Sequence, residues 1–531
     1  MEDPTFLSHA ALTESDHILL QEFHKTLRNN PLQECARCRE RWFEMRLNSD
    51  GICKRCYDKD REQDFHLFGA DNNMCPGDMP DLPELTQIEE MLIARVHVFI
   101  EIRQVRGQQY RYQGHVANFL RNTGRIYDKL PLLPQDVEVI LLRPSNSGDN
   151  PRLNRQFERD FKVRRSHVAQ WLQYLRLNHP GYRGIDVDEA SLSQLPADGD
   201  VRDAVLGVEG TADLPAPELD NDADEGPDLP PEPPETVVIP DLLAGEDELE
   251  AVRQQLGSPV NQLSMPSFRT TPISEFNRTQ PLLSWAFPTL FPRGDAEYTL
   301  PRPRSVSYGD YVDHLLKYHD GRFQRHPRFR YVVFNTMMRR KVSTRAGFFV
   351  KKHTNASHNS TVTADDLRVA FEEDTPESKK LLSHITSWSS ELEGTRPFWL
   401  QKRRGLTACV KNLESPHLFA THSAADLHWD DLMIHLPHYD EWRVGTPAER
   451  MRIARANLRD NPLIVAYWFH FRFQTYKRMV LSKKFHIKDM WDRYEWQGRG
   501  STHNHGVFWL DGAPSPEVDG VDDATRVEFA K

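Results

Sequence analysis

Apolar residues recur at helical spacing in several stretches of the chain. Met91, Leu92 and Val96 share one face just after Thr86 and Glu89, which are placed as a capping box. Val168, Trp171, Leu172 and Leu175 form the i, i+3, i+4, i+7 stripe of an amphipathic helix, and His179-Pro180-Gly181 should end it. Thr446-Pro447-Ala448-Glu449 is a second capping box, with proline at the first helical position. Asn461-Pro462 opens a further helix whose Ile464, Trp468, Phe471 and Met479 are spaced for one face. Strand signals are shorter. Residues 110–119 carry one, and residues 137–142, rich in β-branched and aliphatic side chains, carry a stronger one. Tyr494-Glu495-Trp496 and His503-Asn504-His505-Gly506-Val507-Phe508-Trp509 read as two strands joined by a glycine-containing turn. Helical and strand patterns mix without internal repeats, which predicts an α+β, multi-domain protein.

The 531 residues suffice for about three or four folded units. Residues 1–30 read as a helical lead-in, 31–65 as a cysteine-bearing zinc module and 66–185 as an α+β module. Residues 186–270 are expected to form a disordered acidic linker. Its acidic run and its Leu229-Pro230-Pro231-Glu232-Pro233-Pro234-Glu235 stretch cannot bury enough apolar area to offset chain entropy. Residues 281–394 are basic and aromatic, and residues 395–531 hold the two-strand segment. The net charge of −11 on its face opposes a nucleic-acid partner. Its distribution removes the objection. From residue 186 to residue 250 there are 21 acidic residues and one basic residue, so this stretch carries −20 and the remainder +9. The sequence starts without the basic and apolar regions of a signal peptide, and no apolar run of about 18 residues occurs. These features predict a soluble, intracellular chain with reduced thiols and no membrane partner.

Four of the six cysteines are clustered. Cys35-Ala36-Arg37-Cys38 and Cys53-Lys54-Arg55-Cys56 form a CxxC–x14–CxxC pattern, in which each pair makes a tight turn and both pairs face one tetrahedral Zn2+. Four sulfurs leave no open coordination position, so the site is expected to be structural. Arg37, Arg39, Arg41, Lys54 and Arg55 are expected to favour the thiolates. The plainer reading is two unrelated turns with free thiols. Cys75 and Cys409 are isolated.

On a strand, residues i and i+2 share a face, so His503 and His505 point one way, as do Glu495 and Gln497. Paired across the turn, two imidazoles would meet a carboxylate or amide oxygen, a set suited to a divalent ion with positions left open for substrate oxygens. The alternative is two imidazoles on a solvated strand face. Arg328, Arg330, Arg339, Arg340, Lys341, Lys402, Arg403, Arg404 and Arg499 lie among aromatics and are candidates for single-stranded DNA contact. A solvated charged face over a packed core is the competing reading.

Several stretches occur in order: Ala286-Phe287-Pro288-Thr289-Leu290-Phe291-Pro292-Arg293-Gly294, then His326-Pro327-Arg328-Phe329, then Gln401-Lys402-Arg403-Arg404. A strand with a polar turn, from Pro416 to Trp429, follows, and the Glu495 to His505 segment comes last. Together they resemble the N-terminal region of Helitron transposases, the Rep-helicase proteins of eukaryotic rolling-circle transposons. The resemblance spans residues 281–509; residues 85–180 resemble a module that often precedes it, and the cysteine pairs resemble a zinc finger at its start. It implies an HUH/Rep-type antiparallel sheet with helices. By the same resemblance, His503 and His505 hold Mg2+ or Mn2+, with Gln497 the first choice for a third ligand and Glu495 the next. Single-stranded DNA is the implied partner and the nucleus the implied location. In the family the ion polarises the scissile phosphate while a tyrosine attacks it, giving a 5′-phosphotyrosyl link and a free 3′-OH.

No tyrosine follows Tyr494 in the sequence, and no GxxxxGK[ST] P-loop is present. The chain is therefore expected to be a transposase fragment with an incomplete HUH-type domain. It would lack the nucleophile and the C-terminal helicase part, and would be inactive alone. The reading from another class is a non-enzymatic zinc-finger DNA-binding or regulatory protein derived from a transposon.

Overall fold

A computed structural model describes residues 12–97, 126–137, 161–201, 280–354, 396–496 and 501–513, with short pieces at 102–104, 110–112, 141–144, 204, 207–210, 390 and 393. The chain forms two compact units, residues 1–58, 101–119 and 308–531 in the first and residues 59–100 and 120–307 in the second. Both mix helices with small sheets.

In the first unit, α1 (Glu14–Arg28) starts at a capping box of Thr13 and Asp16. The two-residue strands β1 (Gln33–Glu34) and β2 (Arg41–Trp42) pair antiparallel, and α2 (Lys54–Lys59) follows. Then come α3 (Tyr308–Leu316), α4 (Phe329–Thr354), α5 (Arg396–Leu413), β3 (Leu418–Ser423), α6 (Pro447–Asp460), α7 (Pro462–Tyr476), β4 (Ile487–Trp496) and β5 (Thr502–Leu510). The capping box at the start of α6 is formed as the sequence predicts.

The three long strands make one antiparallel sheet in the order β3-β5-β4, with β5 in the centre. The helix α7 packs from two sides. Ile464, Val465 and Trp468 join Phe23 and Leu27 of α1, Phe43, and Leu458 of α6 in one core. Phe469 and Phe473 form a second cluster with Ala424 and Tyr494 against the sheet. The stripe predicted from Ile464, Trp468, Phe471 and Met479 is one of these two faces. A helix apolar on both sides is buried between layers, and periodicity shows only part of that.

In the second unit the helix Gln87–Ile93 packs on the helix Arg165–Asn178 through Ile88, Met91, Leu92, Val168, Trp171, Leu172 and Leu175. The Thr86 capping box is formed, and its Glu89 is fully buried. Glu89 accepts from the Arg164 backbone N at 2.6 Å and from its guanidinium at 2.7 Å. That satisfies the carboxylate where water is excluded. The strand signal at 137–142 is displaced. Val137 ends a short 3-10 turn and lies in the core, and the strand is Leu141–Pro144. At the earlier signal, 110–119, which belongs to the first unit, the described strand is Tyr110–Tyr112.

The disorder expected from residue 186 does not begin there. Asp186–Val187 pairs with Lys129–Leu130, Glu189–Gln194 is helical, and Gly199–Asp200 pairs with Lys162–Val163. Leu195 and Val201 are buried in the core, so the first part of the acidic stretch has apolar anchors that composition alone concealed. Residues 211–279 lie outside the described ones. The Ala286-to-Gly294 stretch folds within this unit as well. Phe287, Leu290 and Phe291 are buried, and the Thr289 hydroxyl donates to the buried Glu90.

Candidate metal centres

The cysteines converge. Cys35 follows β1, Cys38 lies in the turn to β2, Cys53 precedes α2 and Cys56 is on it. The turns are tight. Arg39 N donates to Cys35 O at 2.9 Å with Arg39 at φ 57°, and Ala36 N donates to Gly51 O at 2.9 Å with Gly51 at φ 72°. All four Sγ atoms lie within 4.8 Å of one another and all four residues are buried. Sulfurs on a tetrahedral Zn2+ at about 2.3 Å are about 3.8 Å apart, so the set fits that ion. Backbone donors already aim at the sulfurs, Cys53 N to Cys35 Sγ at 3.2 Å and Cys56 N to Cys53 Sγ at 3.4 Å. Thiol donation from Cys38 drives the Cys35 pKa down and its own up. Such sharing of a proton between sulfurs is what a divalent cation replaces. The reading of two unrelated turns is excluded by this convergence. The cluster could bind a metal such as zinc.

The basic residues around the cluster also find carboxylates. Arg39 pairs with Glu34 at 3.1 Å, Lys54 with Asp58, and Arg55 with Glu40 and, at 3.1 Å, with Asp313. Burial disfavours the Arg55 charge, but Glu40, Asp313 and the Cys38 and Cys56 sulfurs outweigh it and raise its pKa, so Arg55 serves the carboxylates and the cluster together. Carboxylates close to the loops capture the cations first. Glu40 is buried and also bonds His314 Nδ1 at 2.7 Å, where His314 is fully buried on α3. Backbone bonds from Arg41 N to Lys317 O at 2.8 Å and from His319 N to Arg39 O at 2.9 Å stitch the cysteine loops to the end of α3.

On the sheet, β5 carries His503 and His505. Glu495 of β4 lies opposite His503, and Arg493 lies opposite His505. On the other side, Ser423 of β3 lies opposite His503 and Thr421 opposite His505. The two imidazoles are parallel to within 7°, with centroids 5.7 Å apart. Thr421 Oγ1 is 3.0 Å from His505 Nδ1, and Ser423 Oγ is 3.1 Å from His503 Nδ1. His505 Nε2 contacts the Glu495 carboxylate, and Arg493 lies 3.6 Å from that carboxylate. His503 is buried, and Glu495 is half-exposed. Gln497 and Arg499 lie outside the described residues.

The opposite face of the sheet is a different environment. Asn504, between the two histidines in sequence, is fully buried there and donates to Asp492 Oδ2 at 2.7 Å. His422 packs on that face against Phe473 and Phe508, and burial lowers its pKa. Tyr494 is held by His470 Nδ1 at 2.9 Å and Gln474 Nε2 at 3.0 Å, with its pKa pushed up to about 12 by burial. Tyr467 stacks on Phe43 and donates to Glu44 at 2.8 Å, and Tyr476 packs on Phe23. These three tyrosines are packing residues.

The basic candidates divide. Arg330 lies over Tyr331 and donates to Gln324 O at 3.1 Å, and Arg340 lies 4.5 Å over the Tyr308 ring. Arg328 and Arg339 are half-buried, whereas Lys341 is exposed. Lys402, Arg403 and Arg404 are consecutive and exposed on α5. Thr421, Ser423, Arg493 and Phe419 were not singled out from sequence. Alternation on β4 would have flagged Arg493 beside Glu495, whereas β3, within the motif at 416–429, is some eighty positions from β5 and its register against the histidines is not written in that motif.

Residues 311–508 match a family model described as the Helitron helicase-like domain at the N-terminus. The chain carries a Helitron helicase-like N-terminal region. This makes it a transposon-related protein, and the matched stretch includes all of β3 and β4 and both histidines of β5. Residues 62–193 match a domain of unknown function, DUF6570, whose end lies beyond residue 186. No curated protein and no solved structure matches the chain. Among the described residues no helix is long and apolar enough to cross a membrane.

Proposed function

We propose that the Helitron-like region binds single-stranded DNA and holds a divalent cation, Mg2+ or Mn2+, as the metal-binding part of an HUH-type nicking domain. The observation that carries this reading is the pair of parallel imidazoles on the central strand, with their Nδ1 atoms engaged by hydroxyls and Glu495 opposite. The hydroxyls on the Nδ1 side hold both rings, as partners outside a coordination sphere do, while His505 Nε2 donates to the Glu495 carboxylate, and a cation bound between them would displace that proton. His503, His505 and Glu495 offer donor types suited to a hard-to-borderline divalent ion, but their ligand atoms do not converge within 4.8 Å as the cysteine sulfurs do, so holding an ion would need the side chains to close up, with Gln497 the further candidate. Such an ion supplies positive charge to a non-bridging phosphate oxygen. Arg493 adds a fixed cation on the same face, and the exposed Lys402, Arg403 and Arg404 add a track for the backbone. In this reading the four cysteines hold a structural Zn2+, and the nucleophile for a nick comes from outside Tyr467, Tyr476 and Tyr494. Strand transfer, partnership with a helicase part and nuclear residence extend the same reading.

The test is a Mn2+ titration of the zinc-loaded chain beside His503→Ala and His505→Ala. Each substitution should weaken Mn2+ binding at least tenfold while leaving the zinc content unchanged. Equal Mn2+ affinity in all three proteins would remove the HUH reading. A non-enzymatic DNA-binding role would then stand on the cysteine cluster and the Helitron-like region.

A further inference from the structure

Phe419 is on β3, two positions from Thr421 and therefore on the imidazole face of the sheet. It is 65% exposed, the most exposed ring of that face. Its ring is parallel to His505 within 11°, with centroids 6.0 Å apart. His505 in turn is parallel to His503, so three rings form a ladder that runs out of the imidazole pair and ends in solvent. A phenylalanine this exposed on a strand contributes little to a core, and covering its free face with a flat apolar partner is favourable. A second aromatic, Trp399 of α5, lies against Arg493 of β4. Arg493 sits 4.8 Å over the ring of Trp399, which is itself 43% exposed on α5. Three residues further along that helix begin Lys402, Arg403 and Arg404.

We infer that Phe419 is a stacking platform for the nucleobase next to the phosphate held at the imidazole pair, with the Arg493–Trp399 pair gripping the strand on the other side. This rests on the single-stranded DNA reading given above and adds to it a residue that reads the base. The occupant follows from the chemistry of the surface. Parallel aromatic planes beside exposed guanidinium and ammonium groups suit a chain that alternates flat π-faces with negative charges. A duplex hides its π-faces within its stack, whereas single-stranded DNA exposes them.

The experiment compares two 20-mers, oligo-dT and an oligomer of the same length built entirely of abasic sites, by fluorescence anisotropy with the full zinc-loaded chain. Wild type should bind oligo-dT about tenfold more tightly than the abasic oligomer, one stacked base being the unit of that difference. Phe419→Ala should remove most of this preference, and Phe419→Trp should restore it. Arg403→Ala with Arg404→Ala should weaken both oligomers alike. Mn2+ affinity should be the same in Phe419→Ala and wild type, which shows that the sheet is intact. A preference for oligo-dT that survives Phe419→Ala overturns the platform and leaves the DNA reading standing. Failure of wild type to bind either oligomer overturns both. A platform that behaves as stated beside histidines that bind no Mn2+ sinks the metal site alone.

Discussion

The four cysteines and the two histidines lie in one unit and differ in almost every physical respect. The cysteine set is closed, with four buried sulfurs within 4.8 Å of one another and backbone N–H groups turned toward them. The histidine set is open, with hydroxyls behind the imidazoles, a half-exposed Glu495 beside them, and exposed Phe419 at the rim. A closed set of four thiolates gives its ion no position to share, so the ion contributes to folding. An open set of few donors leaves room for substrate oxygens. The same unit thus holds one set of donors that could saturate an ion and one that, in the proposed reading, would leave positions open.

The strongest way to break this contrast is to open the closed site. Cys53→Ser should reduce bound zinc from one ion per chain to nearly none. Ion binding in structural sites of this kind is worth about 10 kcal/mol or more, so the loops from residue 33 to residue 59 should lose their folded state. Metal analysis and protease sensitivity of these loops report the two effects. Cys75→Ser and Cys409→Ser should change neither, because neither residue belongs to the cluster. Full zinc content in Cys53→Ser would show that the four sulfurs do not act as one site.

A smaller effect is expected where the closed site is tied to its surroundings. Glu40 is 3% exposed and bonds both His314 and Arg55. Glu40→Gln keeps the shape and removes the charge, taking from Arg55 its buried carboxylate partner and leaving the half-exposed Asp313 as the other described one. Removing one partner of a buried ion pair costs about 3 kcal/mol. The melting temperature should fall, while zinc content stays at one ion per chain and Mn2+ affinity is unchanged. A loss of zinc in this variant would mean that the α3 contact shapes the cysteine loops and does more than anchor them.

Legibility in the sequence follows the range of the interactions. The capping boxes at Thr86 and Thr446 and the Trp171 helix rest on contacts within a few positions, the two CxxC turns converge across a short stretch whose spacing announces it, and the side-chain types name them. The β4–β5 hairpin is read from alternation and a glycine turn, and its register places Glu495 opposite His503. What the sequence conceals is set by distant partners. The hydroxyls of Thr421 and Ser423 arrive from β3, the basic residues near the cysteines find carboxylates, and α7 hides a second apolar stripe. The acidic stretch misleads for another reason. Composition averages over many residues, whereas two apolar side chains, Leu195 and Val201, are enough to fasten its first part.

The smallest expected effect tests how the open site is set up. Thr421→Val replaces the hydroxyl 3.0 Å from His505 Nδ1 with a methyl group of similar size and keeps a β-branched residue on the strand. The imidazole would then lose the partner that fixes its tautomer and ring orientation, though not its place on β5. Loss of such an orienting partner weakens metal affinity by about tenfold, at the lower end of what such changes do. Mn2+ titration should therefore show a weaker site in Thr421→Val than in wild type, but a stronger one than in His505→Ala, with zinc content unchanged in both. Ser423→Ala should act in the same way through His503. If both hydroxyls can be removed with no change in Mn2+ affinity, the imidazoles are oriented by the sheet and by Glu495 alone, and the open site needs no support from β3.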